Sequence, residues 1–186
     1  MADHICPVWV GYLLASPVRR IFQSPDKIIG PHVKEGMTVL DMGCAMGFFS
    51  VPMATMVGAD GRVVCVDVQE KMLESLRKRA VKAGVDDRMN VLNCAENETG
   101  LEHLRGEVDF ALAFAMVHEV DDPEALIRQI HSLLKKGGHL LVAEPRGHVS
   151  SGEFDDTLRW SAEAGLTTVD RPAIGRSHAA LLKKSG

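Results

Sequence analysis

The sequence has no apolar run near the roughly 18 residues that a membrane-spanning helix needs, so no span is expected. It opens Met1-Ala2-Asp3-His4, without the basic start and apolar core of a secretory leader, which makes the cytoplasm the expected compartment. Of its four cysteines, Cys6, Cys44, Cys65 and Cys94, none forms a C-x-x-C pair. That excludes zinc-ribbon and thioredoxin-like spacings and makes free thiols the expectation. Net charge is small, -4, which argues against a surface devoted to nucleic acid. There is no internal repeat and no low-complexity tract. What is present is 186 residues, 46% apolar and 25% charged. That suits one globular domain, which can bury about 70% of its unfolded surface without disulfide or metal.

From Thr38 onward, short apolar runs alternate with helical patterns. Val39-Leu40 leads into a glycine-rich turn over 41–47, followed by a predicted helix over 48–57. Residues 63–67 form a β-branched strand. Over 70–83 the residues Met72, Leu73, Leu76 and Ala80 share one helical face, and Gly84 is a natural stop. Strands are predicted at 90–93, 110–114 and 140–143. Asp122 caps a helix opening at Pro123, and Gly137-Gly138 is expected to end it. Helix 154–164 and strands 166–170 and 178–183 complete the chain. Strands separated by helices predict a parallel sheet covered on both faces, and the helix-free link before the last strand predicts that it runs antiparallel. The expected fold class is therefore α/β, a doubly wound, mostly parallel seven-stranded sheet in a single domain over 37–186. Residues 1–36, punctuated by Pro7, Pro17, Pro25 and Pro31, read as a lid or flank containing Trp9, Tyr12 and Phe22.

The turn Asp41-Met42-Gly43-Cys44-Ala45-Met46-Gly47 joins strand to helix, where a doubly wound sheet binds its ligand. A dinucleotide fingerprint, G-x-G-x-x-G, would require glycine at Ala45 and at Phe48. A bulky Phe at the third position disfavours NAD or FAD. Asp67 ends the next strand, 20 residues past Gly47, where a carboxylate can accept both hydroxyls of a ribose. Asp41 can meet an amino group. A turn without a phosphate cradle, a ribose acid and an amine acid together fit S-adenosylmethionine.

These residues resemble the class I S-adenosylmethionine-dependent methyltransferases, collinearly from Thr38 onward. Val39-Leu40-Asp41-Met42-Gly43-Cys44-Ala45-Met46-Gly47 resembles the family's first motif. Val66-Asp67-Val68 resembles its acidic second motif. Asn93-Cys94-Ala95-Glu96 resembles the turn that lines adenine, and Leu133-Leu134-Lys135-Lys136-Gly137-Gly138 the helix end before strand five. The resemblance implies that S-adenosyl-L-methionine is held by Asp41, Gly43, Ala45, Gly47, Asp67, Val68, Cys94, Ala95, Glu96 and Phe114. Two residues depart from the pattern. Ala45 replaces the usual middle glycine, and Cys94 stands where an Asp often faces the adenine amine.

Methyl transfer from a sulfonium is an in-line displacement, so positioning supplies much of the rate. A base is needed only for a protonated nucleophile. His118, Glu144 and His148 follow the ends of strands four and five and are the candidate catalytic residues; the alternative is that His118 and Glu119 only brace the next helix. His4-x-Cys6 with scattered histidines is a poor metal signature, and no metal is expected. The expected acceptor is a small molecule, with likeness to the quinone- and lipid-modifying branch, and no nucleic-acid partner is expected. The rival readings are an RNA or protein methyltransferase, a nicotinamide oxidoreductase, and a non-catalytic cofactor-binding module.

Overall fold

The computed structural model describes residues 23–94 and 100–186. Seven strands make one sheet in the order β3-β2-β1-β4-β5-β7-β6. The strand pairs β1–β2, β2–β3 and β4–β5 are parallel, and β7 runs antiparallel to both β5 and β6. The reversed last strand is thus as expected. The backbone groups into two compact units that meet in sequence at Gly100 and Leu101.

The first unit contains α1 (Pro25–Ile29), β1 (Thr38–Met42), α2 (Ser50–Met56), β2 (Arg62–Asp67), α3 (Glu70–Ala83) and β3 (Met89–Asn93). Every residue of β1 is buried, whereas β3 alternates between half-buried and exposed. Central strands read as continuous apolar runs and edge strands do not. Helix α3 buries the expected Met72, Leu73, Leu76 and Ala80. Gly84 closes it at φ 66°, with its N–H donating to Ala80 and Val81 carbonyls, a left-handed cap that glycine adopts without strain. Helix α2 begins at Ser50, two residues later than the expected 48. Of the expected N-terminal flank, α1 packs on α2, and the Gly36 N–H donates to the Val57 carbonyl at 2.8 Å. Trp9, Tyr12, Phe22 and the His4-x-Cys6 pair lie outside the described residues.

The second unit contains β4 (Val108–Phe114), α4 (Pro123–Leu133), β5 (Leu134–Pro145), α5 (Ser151–Glu163), β6 (Leu166–Asp170) and β7 (Ser177–Lys184). Asp122 caps α4 as predicted, its carboxylate accepting the Ala125 N–H at 2.8 Å. Two local expectations are corrected. Helix α4 stops at Leu133, before Gly137-Gly138, and strand β5 already begins at Leu134. The two glycines instead serve a bulge: Val108 pairs with Leu134, yet Phe110 pairs with His139. Gly137 there has φ 75°, and a Cβ on Gly138 would lie 2.9 Å from the Lys135 carbonyl oxygen. Helix α5 starts three residues earlier than the expected 154, because Ser150 and Glu153 form a reciprocal capping box. Among the described residues no helix is long and apolar enough to cross a membrane.

Candidate functional site

In the first unit, the chain leaves β1 into a turn held from β2. The N–H groups of Gly43 and Cys44 both donate to the Val66 carbonyl, at 2.9 and 3.0 Å, and that of Gly47 donates to the Cys44 carbonyl at 2.9 Å. Gly43, Ala45 and Gly47 all have positive φ, at 72°, 46° and 78°. Glycine accepts that conformation freely; alanine does so at a cost of about 1–2 kcal/mol. Ala45 stays there because its N–H donates to Asp67 Oδ2 at 2.9 Å. The other oxygen of Asp67 accepts the Gln69 N–H at 2.8 Å. Asp67 therefore ties the turn after β1 to the start of α3. Burial pushes its carboxyl pKa up, and the backbone donors Gln69, Ala45 and Val68 pull it down.

Asp41 is 3% exposed and accepts a hydrogen bond from the Ser50 hydroxyl in the first turn of α2. Ser50, fully buried, is a partner of Asp41 outside the motif residues; its only signal in the sequence is a hydroxyl nine residues on. Cys94 is buried, and its N–H donates to the Asp67 carbonyl at 3.2 Å. Burial and then the charge of Asp67 push its thiol pKa up, so it remains a protonated thiol and a weak acceptor. Asn93 spends its amide nitrogen on Glu70 Oε2, at 3.0 Å. Val68 is 42% exposed, an apolar surface beside Asp67. Ala95 and Glu96 lie outside the described residues.

These residues fit S-adenosylmethionine better than a dinucleotide. Each carboxylate oxygen has about two acceptor positions. Asp67 takes the Ala45 N–H on Oδ2 and the Gln69 N–H on Oδ1, and acceptor capacity remains on the carboxylate for ribose hydroxyls. The third glycine of a dinucleotide turn is replaced by buried Phe48, packed edge-on against Phe49 at 5.0 Å.

In the second unit, a polar centre forms at the ends of β4 and β5. Phe114 ends β4 and is buried. Ala115 follows in the left-handed region at φ 57°, its N–H donating to the Ala143 carbonyl at 2.7 Å. That bend turns the N–H groups of Met116 and Val117 onto Glu144 Oε1, at 3.2 and 3.0 Å. Glu144 Oε2 meets His118 Nδ1 in a short contact. Glu144 is 1% exposed, and a buried carboxylate survives only with such partners. The His118 side chain is 24% exposed. Its pKa is raised, first by the Glu144 hydrogen bond, and burial opposes the rise. The turn Pro145-Arg146-Gly147-His148, closed by the His148 N–H on the Pro145 carbonyl at 3.0 Å, returns the His148 ring to 5.7 Å from that of His118. The three candidate catalytic residues are thus brought together. Glu144 meets three protein groups, the Met116 and Val117 N–H groups and the His118 ring, so it orients His118 and the 115–117 bend. The backbone donors and the bend itself carry no sequence signal beyond the strand end. No metal-binding cluster occurs among the described residues.

A family model described as a methyltransferase domain matches residues 33–172. The chain belongs to this methyltransferase family. It is 26% identical over 141 residues to the tRNA 5-carboxymethoxyuridine methyltransferase of Escherichia coli K12, covering 73% of this chain and 52% of that protein. It is 33% identical over 144 residues to the ubiquinone biosynthesis O-methyltransferase of Methylocella silvestris, covering 74% and 52%. The chain spans about half the length of these curated relatives. Among solved structures, a SAM-dependent methyltransferase from Aquifex aeolicus superposes with a TM-score of 0.84 at 26% identity, covering 96% of this chain and 99% of that one. The methyltransferase fold and its cofactor, S-adenosylmethionine, are therefore those expected from the motifs.

Proposed function

We propose that the chain transfers a methyl group from S-adenosylmethionine to a small-molecule acceptor whose nucleophilic atom carries a proton. When bound, the cofactor supplies an activated methyl on a sulfonium. In the first unit, Asp67 binds the ribose hydroxyls, the 43–47 turn brings backbone close to the ligand, and Val68 offers apolar surface to the adenine. Asp41 orients the turn through Ser50. In the second unit, His118 takes the acceptor's proton on Nε2, because Glu144 engages Nδ1 and fixes the ring. His148 flanks it.

The observation that carries this reading is the His118–Glu144 pair: a half-exposed imidazole oriented by a buried carboxylate is the arrangement of a general base. The ubiquinone methyltransferase relative supports a small acceptor. The tRNA methyltransferase relative favours a second reading, an RNA acceptor handled by the same pair. Incubation with cofactor labelled in the methyl group, against phenolic, carboxylic and quinol acceptors and against bulk tRNA, separates the two. Label in a small product supports the first reading and label in RNA alone replaces it. His118→Ala is expected to lower turnover at least 100-fold, the scale of general-base catalysis, with cofactor affinity unchanged.

A further inference from the structure

We propose that Asn93 and Glu70 form a bracket that holds the segment after β2 ready for the cofactor, which makes Asn93 a positioning residue for S-adenosylmethionine. Asp67 and Val68 keep the roles proposed for them in holding the nucleoside, on which this bracket depends.

Strands β2 and β3 stay in parallel register to their last residues, where Asp67 lies beside Asn93. There they part, β2 passing through Val68 and Gln69 into α3. A doubly wound sheet binds its ligand at such carboxyl ends, where the ladder no longer holds the backbone. Two consecutive residues at the end of β3 reach back across the gap. The Cys94 N–H donates to the Asp67 carbonyl at 3.2 Å. The Asn93 side-chain amide donates to the Val68 carbonyl at 3.4 Å and to Glu70 Oε2 at 3.0 Å. An amide nitrogen carries two hydrogens, enough for both acceptors.

Glu70 closes the bracket. It stands in the first turn of α3, and its other oxygen takes Arg77 Nη1 at 2.6 Å. Arg77 Nη2 in turn donates to the Val91 carbonyl at 3.4 Å, back on β3. The Glu70 carboxyl pKa is held down first by Arg77 and then by Asn93, so the carboxylate accepts from both. An aspartate at position 93 would instead set a like charge against Glu70.

Asn93, Glu70 and Arg77 are all exposed, and exposed polar links add little to global stability. What this one restrains is local. It fixes the backbone that carries Val68, beside the Asp67 oxygens that already hold the Ala45 and Gln69 N–H groups. A segment ordered before the ligand arrives need not be ordered by it, and that saving appears as affinity.

Calorimetric titration of S-adenosylhomocysteine into the full chain and its variants, with urea denaturation alongside, tests the bracket. Asn93→Ala and Glu70→Ala should each bind about three- to tenfold more weakly, the scale of ordering a short segment on binding, with urea midpoints close to the parent's. The double variant should bind no more weakly than either single one, because both remove the same link. Glu70→Gln, which keeps an acceptor for the Asn93 amide, should recover most of the loss, and the nearly isosteric Asn93→Asp should bind at least as weakly as Asn93→Ala. Parent-like affinity in Asn93→Ala, with Asp67→Ala weakened, overturns the bracket and leaves the ribose role of Asp67 standing. Parent-like affinity in both overturns both. A loss of affinity that tracks a lowered urea midpoint also overturns it and makes the link a structural brace.

Discussion

Ala45 carries a penalty that glycine would not, because its φ of 46° is left-handed. Ala45→Gly removes about 1–2 kcal/mol of strain and loses about 0.4–1 kcal/mol to the freer unfolded chain. A small net stabilisation is therefore expected, read as a higher urea midpoint at unchanged m. A lower midpoint would show that the methyl contributes packing that outweighs the strain. His118 gives a pH signature. Its pKa is raised in the folded state, so the stabilisation from pairing with Glu144 is fully present below the unfolded value, about 6.5. It is lost as pH rises through the folded value. The neutral, base-competent ring appears over the same rise, so the acid limb of turnover should lie above pH ~6.5. Glu144→Gln should lower the His118 titration midpoint, followed by NMR. An unchanged midpoint would mean that Glu144 does not set the charge of the ring.

At the scale of elements, the legible features were those written in periodicity and local chemistry. The apolar face of α3, the Gly84 cap and the Asp122–Pro123 start of α4 are short-range patterns, and the structure repeats them. Gly137-Gly138 misled because a glycine pair ends helices and also makes bulges; only the pairing of β5 with β4 decides between them. The Ser150-x-x-Glu153 capping box, which the helix prediction over 154–164 passes over, is the reason α5 starts early. The candidate cofactor residues Asp41, Gly43, Gly47 and Asp67 come from local motifs. The hydrogen bonds within each unit's cluster join residues 22 positions apart in the first, Ala45 to Asp67, and 26 apart in the second, His118 to Glu144, and no local pattern encodes them. Ser150→Ala should cost about 1 kcal/mol in chemical denaturation. Gly138→Ala, with its Cβ driven against the Lys135 and Val108 carbonyls, should cost about 1–3 kcal/mol. Denaturation curves for Gly138→Ala overlaying those of the parent would refute the bulge argument.

Over the whole molecule, the net charge is a modest -4. The family match over residues 33–172 and the two site clusters together support one account: the chain binds S-adenosylmethionine through the first unit and handles the acceptor's proton through the second. Calorimetric titration of S-adenosylhomocysteine into the parent, Asp67→Ala and His118→Ala proteins tests it most directly. The account predicts saturable one-site binding to the parent and to His118→Ala. Asp67→Ala should bind at least tenfold more weakly, from loss of two hydrogen bonds to a charged acceptor worth about 1.5–3 kcal/mol each at most. No saturable binding to the parent, or an affinity in Asp67→Ala equal to the parent's, would contradict it.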